Sequence, residues 1–212
     1  MQTLTYSGMS RLLLGAVASI RANHQHLSRL DSATGDGDHG TAMLRSMEAI
    51  EKAAREAGGS SPKDLLFQAG WEVMSAAGGA TGPLLGSFLM GLSEGFGDAA
   101  ELDAAGAAGA FEKALAAVRK QSKAQPGDKT MLDAMIPAVE AFRAAVDGSA
   151  DIARALQEAA AAAGAGAEAT RNMLAKFGKA RNLGDRTLGH ADPGATSIAC
   201  IFQGFVDGIT SP

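Results

Sequence analysis

Four segments dense in Gly, Asp and Thr punctuate this 212-residue chain: DSATGDGDHG from Asp31, GGATG from Gly78, QPGDKT from Gln125 and GKARNLGDRTLGHADPGA from Gly178. Between them lie stretches long enough for two helices joined by a plain turn, and periodic apolar residues and capping signals place those helices. The first is expected over Leu4 to Leu27. The second covers His39 to Glu56, where Ala42, Met43, Met47 and Ile50 recur at helical spacing. The third starts at Ser61-Pro62, with Asp64 completing a capping box, and stops near Ala77 at Gly78-Gly79. The fourth runs from Thr81 to Gly95-Phe96-Gly97, and the fifth from Leu102 to Gln121. The sixth begins at Thr130, boxed by Asp133, and passes through Pro137 with a kink to Ala145. The seventh spans Ser149 to Lys176, and the eighth runs from the Asp192-Pro193 cap to about Asp207.

Short connections make neighbouring helices antiparallel. Connections one, three, five and seven then fall at one end of the bundle, and these are the four unusual segments. The others, around Gly58–Ser60, Gly97–Leu102 and Asp147–Gly148, are plain turns. Chemistry is therefore gathered at one end. Composition agrees, since an Ala-rich chain with 46% hydrophobic but only 5% aromatic residues favours close-packed helices. β-branched residues are too thin for an all-β fold. The expected fold class is all-α: a single domain over residues 1–212, built as an eight-helix bundle.

A net charge of −4 argues against a nucleic-acid partner, which would need a basic stripe. The longest apolar stretch, Pro83 to Leu92, is broken by Gly86, Ser87 and Gly91 and falls far short of a membrane span. The N-terminal residues lack a signal-peptide pattern, and the single Cys200 makes no internal disulfide. A cytoplasmic chain without membrane or nucleic-acid partners is expected.

Helices two, four, six and eight start at the polar end, so their free N–H groups and positive dipole ends converge there. Such N-termini after Gly-rich loops suit phosphate. Beside them stand Asp31, Asp36 and Asp38, whose mutual repulsion a cation would relieve; hard oxygen ligands suit Mg²⁺. The combination reads as a nucleotide-phosphate site, against the plainer alternative of an exposed Asp/Gly turn. Other motifs fail. An EF-hand would need Gly at Thr41 and Glu at Met47. Gly35-x-Gly37-x-x-Gly40 follows a helix where the dinucleotide fingerprint requires a strand, and no P-loop is present. His24 and His26 read as surface residues, whereas His39 and His190 lie in polar-end connections. Met43, Met47, Met74, Met90 and Met135 fall at core positions, while Met131 opens helix six where it could touch an adenine. The run Ala159–Ala163 reads as a close helix–helix contact.

The segments GDGDHG (Gly35–Gly40), GGATGPLLGSF (Gly78–Phe88), PGDKTMLD (Pro126–Asp133) and LGDRTLGHADPGATS (Leu183–Ser197), in this order, resemble the nucleotide-binding L subunit of dihydroxyacetone kinases. The resemblance covers essentially the whole chain. It implies an antiparallel eight-helix barrel with ADP or ATP at one end and two Mg²⁺ ions held by Asp31, Asp36 and Asp38. Nucleotide contacts carry over to His39, Gly40, Thr41 and Ala42, to Ala80 and Thr81, to Met131 on the adenine side, and to Asp192, Pro193 and Gly194. Three positions depart from the family pattern: Lys179 stands where Arg is usual, Asn182 where Tyr is usual, and Ser122 where a Gly lies near the nucleotide. Lys179 keeps the charge but loses the bidentate fork.

The sequence shows no general base or nucleophile for a sugar hydroxyl. The resemblance accounts for this, because in that family a separate K subunit holds the ketose on a His as a hemiaminal. It implies a phosphotransferase subunit acting on dihydroxyacetone or a related ketose such as a tetrulose. Its nucleotide is either ADP recharged in place by a phosphohistidine carrier or ATP that exchanges at each turnover. The alternative is a non-catalytic nucleotide-dependent regulator that binds a transcription factor.

Overall fold

Why the chain closes into a ring follows from its eight helices, α1 (Tyr6–Thr34), α2 (His39–Glu56), α3 (Pro62–Ala76), α4 (Thr81–Phe96), α5 (Ala104–Gln121), α6 (Leu132–Asp147), α7 (Ile152–Ala169) and α8 (Pro193–Thr210). The computed structural model describes residues 1–59, 61–76 and 79–210. Each helix packs on the next, and α8 returns to pack on α1, so the ring is complete. Phe88, Phe111, Phe142, Phe202 and Phe205 fill its middle, with ring centroids 4.9 to 6.4 Å apart. Few large side chains thus suffice for the core, because Ala and Gly bring the helix backbones together. A Cβ placed on Gly204 of α8 would lie 2.6 Å from Ala16 Cα of α1. Gly204→Ala is therefore expected to destabilise the fold by about 1–3 kcal/mol through overpacking. Calorimetry should show Tm falling by roughly 2–10 °C; an unchanged Tm would mean that α8 slides on α1 without cost.

Local chemistry explains the helix ends. The Asp64 N–H donates to Ser61 Oγ at 3.0 Å, and Ser61 Oγ in turn donates to the Asp64 carboxylate. This is the Ser61 half of the expected box at α3, with the Asp64 carboxylate bonded to the Ser61 hydroxyl in place of its backbone N–H. Asp192 caps α8, accepting from the Ala195 N–H at 2.7 Å. At α6 only the reciprocal half of the box forms. The Asp133 carboxylate accepts from the Thr130 N–H at 2.8 Å and the Gly127 N–H at 2.5 Å, and the helix starts two residues later than expected.

Three expectations are corrected. Helix α1 continues seven residues past Leu27, because nothing between Ser28 and Thr34 breaks it before Gly35. Asp31 therefore sits on the last helical turn and not in a loop. A short antiparallel pair, β1 (Thr3–Thr5) with β2 (Glu101–Asp103), precedes α1 and α5 where helix was expected, with Leu4 opposite Leu102. The seventh helix is shorter at both ends than Ser149 to Lys176. Asp151 caps its start through the Arg154 N–H at 2.9 Å, and it stops at Ala169, where a 3₁₀ turn over Thr170–Asn172 begins. A second 3₁₀ stretch, Lys179–Thr187, lies in connection seven and was not expected.

Ala159, Ala160 and Ala163 are buried in α7, as a close helix contact requires, while Met74 lies 39% exposed and not in the core. It shares a face of α3 with the exposed Phe67 and Trp71. The expected stop at Ala77 and Gly78, and Ser60 of the first plain turn, lie outside the described residues. Among the described residues, no helix is long and apolar enough to cross a membrane.

Candidate functional site

The four polar connections meet at one open cleft of about 570 Å³. Its lining takes Asp31, Asp36, Asp38, His39 and Ala42 from the first, and Ala80, Thr81 and Leu84 from the third. Ser122, Lys129, Thr130 and Met131 come from the fifth, and Phe177, Lys179, Asp192, Pro193 and Gly194 from the seventh. The antiparallel alternation expected from the sequence is realised, and the first turns of α2, α4 and α8 border this space together with Met131, the residue that precedes α6.

At one side, the end of α1 and the turn Gly35–Asp38 bring Asp31, Asp36 and Asp38 together. One carboxylate oxygen from each lies within 4.8 Å of the others. Gly37 makes the turn possible with φ +79°. The His39 N–H donates to Asp31 Oδ2 at 3.2 Å, which fixes that carboxylate against the start of α2. Three oxygen donors on a tight turn fit a hard divalent cation. The Lys179 ammonium pairs with Asp36, reaching across from connection seven, and holds its carboxyl below the usual range. The His39 ring is largely enclosed, with Nε2 3.2 Å from Ser197 Oγ, and burial pushes its pKa down against the pull of Asp31 and Asp38. It is neutral at pH 7.

The opposite side is drier. Met131 is buried and Leu84 partly buried, and together with Pro83 and the half-exposed Phe177 they give an apolar slot. Gly194 sits beside it, its missing Cβ 3.5 Å from Met131 Cβ. A flat apolar group fits here, while a polyanion fits the helix N-termini and the cation site.

Asp192 caps α8 at the cleft wall, and burial pushes its pKa up to about 7 against the bond from the Ala195 N–H. A carboxyl with a higher pKa in the folded than in the unfolded protein binds more protons when folded. Stability from this group is then lost as pH rises from about 4 to 7. The expected slope reaches up to about 1.4 kcal/mol per pH unit, and Asp192→Asn should flatten it in urea titrations across that range. An unaltered slope in the variant would assign the pH dependence to other groups.

Of the expected contact residues, Gly40 and Thr41 do not line the cleft. Gly40 lies where α2 crosses α1, and a side chain there would run into the His24 carbonyl. Thr41 is exposed. Lys129, Thr130, Leu84 and Phe177 line the cleft but were not singled out. Lys129 and Thr130 lay in plain view in QPGDKT. Leu84 and Phe177 carry only an apolar signal that the core also uses.

The family described as the DAK2 domain matches residues 33–207. The ADP-binding subunit DhaL of PEP-dependent dihydroxyacetone kinase 1 from Listeria innocua is 36% identical, over 87% of this chain and 87% of its own. The corresponding DhaL subunit of Escherichia coli is 34% identical, over 84% of this chain and 85% of its own. The crystal structure of the C. freundii dihydroxyacetone kinase in complex with AMP-PNP and Mg²⁺ superposes with a TM-score of 0.72 at 26% identity, covering 95% of this chain. The match spans 33% of that longer chain.

Proposed function

The chain belongs to the DAK2 domain family, and on that premise we propose that it is the nucleotide-binding, phosphoryl-transferring subunit of a kinase for dihydroxyacetone or a related short ketose. The observation that carries the reading is the meeting of four helix N-termini and an aspartate trio in one cleft. Phosphoryl transfer needs positioning and charge neutralisation more than covalent chemistry from the protein. The starts of α2, α4, α6 and α8 turn their positive dipole ends toward the cleft, which favours the phosphates, while the Leu132 and Ala195 N–H groups are already taken by Thr130 and Asp192. Asp31, Asp36 and Asp38 would hold Mg²⁺, two ions by family likeness, and bound Mg²⁺ would supply neutralising charge at the phosphates. Lys179 adds a cation at the same rim. Met131, Leu84 and Phe177 receive the base, and His39 enters as a neutral group that orients Asp31 through its backbone.

A separate ketose-binding subunit is the partner this reading calls for, supported by relatives that are named as ADP-binding subunits of dihydroxyacetone kinases. The relatives matched nearly end to end are named as ADP-binding and PEP-dependent. Their names favour resident ADP with PEP as the ultimate phosphate source over ATP exchange, and a phosphohistidine carrier would be the intermediary in that mode.

The test is to purify the protein with Mg²⁺, desalt it, denature it and identify released nucleotide by chromatography. Near-stoichiometric ADP is the expected result. An empty protein that binds ATP only with Mg²⁺ would move the reading to the exchanging mode. Failure to bind either nucleotide would remove it.

A further inference from the structure

The cleft's inner wall is made by two connections far apart in sequence, Asp128–Met131 and His190–Gly194, and one side chain joins them. Lys129 is only 3% exposed and is held at φ +60°, a conformation that residues with a Cβ seldom adopt. Its Nζ donates to the Thr170 carbonyl at 2.6 Å and to the His190 carbonyl at 2.5 Å. Among the described residues, no carboxylate pairs with it at ion-pair distance, so this is a buried cation satisfied by backbone alone. Burial accordingly pushes its pKa below the ordinary lysine value.

Thr170 is fully buried and extends the connection. Its Oγ1 accepts from the Asp192 N–H at 2.8 Å while donating to the Ala167 carbonyl at the end of α7. Lys129 thus reaches the first turn of α8 by two routes, through His190 and through Thr170–Asp192. A surface lysine would contribute little of this order. A buried one, bound to the His190 carbonyl and sharing the Thr170 carbonyl with the Met173 N–H, fixes both segments of the wall.

We propose that Lys129 is a positioning residue for the bound nucleotide: it joins connections five and seven so that Met131 and the Asp192–Gly194 turn face the ligand in one fixed relation. The inference rests on the nucleotide reading above and adds a residue and a role to it. The charge also favours a polyanion in the cleft, which deepens the same preference.

The experiment uses the whole chain with MgADP as probe, comparing wild type, Lys129→Met and Lys129→Arg. Calorimetric titration gives the Kd. Brief trypsin digestion without nucleotide reads cleavage after the exposed Lys179, Arg181 and Arg186 of connection seven. With helical circular dichroism unchanged, Lys129→Met is expected to weaken MgADP by about ten-fold or more and to speed that cleavage. Lys129→Arg, which keeps the charge and several donors, should recover most of both. A folded Lys129→Met protein with wild-type Kd and cleavage would overturn the proposal, as would loss in both variants without rescue. If Lys129→Met does not fold, Thr170→Val carries the same expectation, because it cuts the Thr170–Asp192 link and leaves the lysine in place. Wild type that binds no MgADP would overturn the nucleotide reading itself, whereas the cleavage comparison would still report whether Lys129 orders the wall.

Discussion

Asp31→Ala is expected to lower phosphoryl transfer, measured with a ketose-binding partner subunit, by at least about 10³-fold. The loss corresponds to the several kcal/mol of charge stabilisation that a properly held divalent cation provides at transferring phosphates. Asp31 is the trio member built into a helix and fixed by the His39 N–H, so Asp36 and Asp38, both on an exposed turn, have no rigid third partner once it is gone. Stability should change by no more than about 1 kcal/mol, since a lost hydrogen bond is offset by relief of repulsion among the carboxylates. Calorimetry in Mg²⁺-free buffer checks that part, and equilibrium dialysis of ADP with and without Mg²⁺ checks the other. Full transfer activity in Asp31→Ala would sink the metal assignment.

Gly194→Val acts at the other side of the cleft. Gly194 lies in the first turn of α8, where an added Cβ would already come within 3.0 Å of Asp192 Oδ2 and 3.5 Å of Met131 Cβ. Branched bulk there enters the space between α8 and α6 and also disturbs the Asp192 cap. A weakening of MgADP binding by about 10²-fold or more is expected, since a filled contact surface and a displaced helix N-terminus act together. Titration calorimetry reads it directly. Binding within two- or three-fold of wild type would show that the ligand does not approach this turn. Divalent-cation binding at the aspartate trio, read by equilibrium dialysis of the metal alone, should persist in Gly194→Val and vanish in Asp31→Ala, so the two variants separate the two halves of the site.

How much of this was readable beforehand differs from element to element. The caps Ser61-Pro62 and Asp192-Pro193 place α3 and α8 because the side chain that ends the preceding loop also bonds the first free N–H groups. The alternation of polar and plain connections needs only short turns, and from it follow both the common end and the convergence of four helix N-termini. What escaped depends on partners distant in sequence. The stop of α7 at Ala169 passes into a 3₁₀ turn whose Thr170 carbonyl accepts from both the Met173 N–H and Lys129, 41 residues away. The strands β1 and β2 are three residues each and exist only because they lie side by side. Helix α1 runs on to Thr34 because Ser, Asp and Thr, read as loop formers, are tolerated on a helix that α2 and α8 already cover. Gly40, expected as a nucleotide contact, also lets α2 cross α1 beside the His24 carbonyl, and a lone glycine in the sequence does not reveal this second constraint.

The ring has a consequence for how the protein is made. Residues from Asp31 to Gly194 share one cleft, and the last wall arrives with α8, which must return to α1 across nearly the whole chain. Closing so long a loop is disfavoured by chain entropy and is rewarded only once the α1–α8 face is formed. During synthesis, seven helices can condense in order as they emerge, but a functional cleft exists only after the eighth is in place. On the proposed reading, capture of nucleotide would then report completed assembly, and an interrupted chain, however helical, would have no complete cleft with which to compete for it.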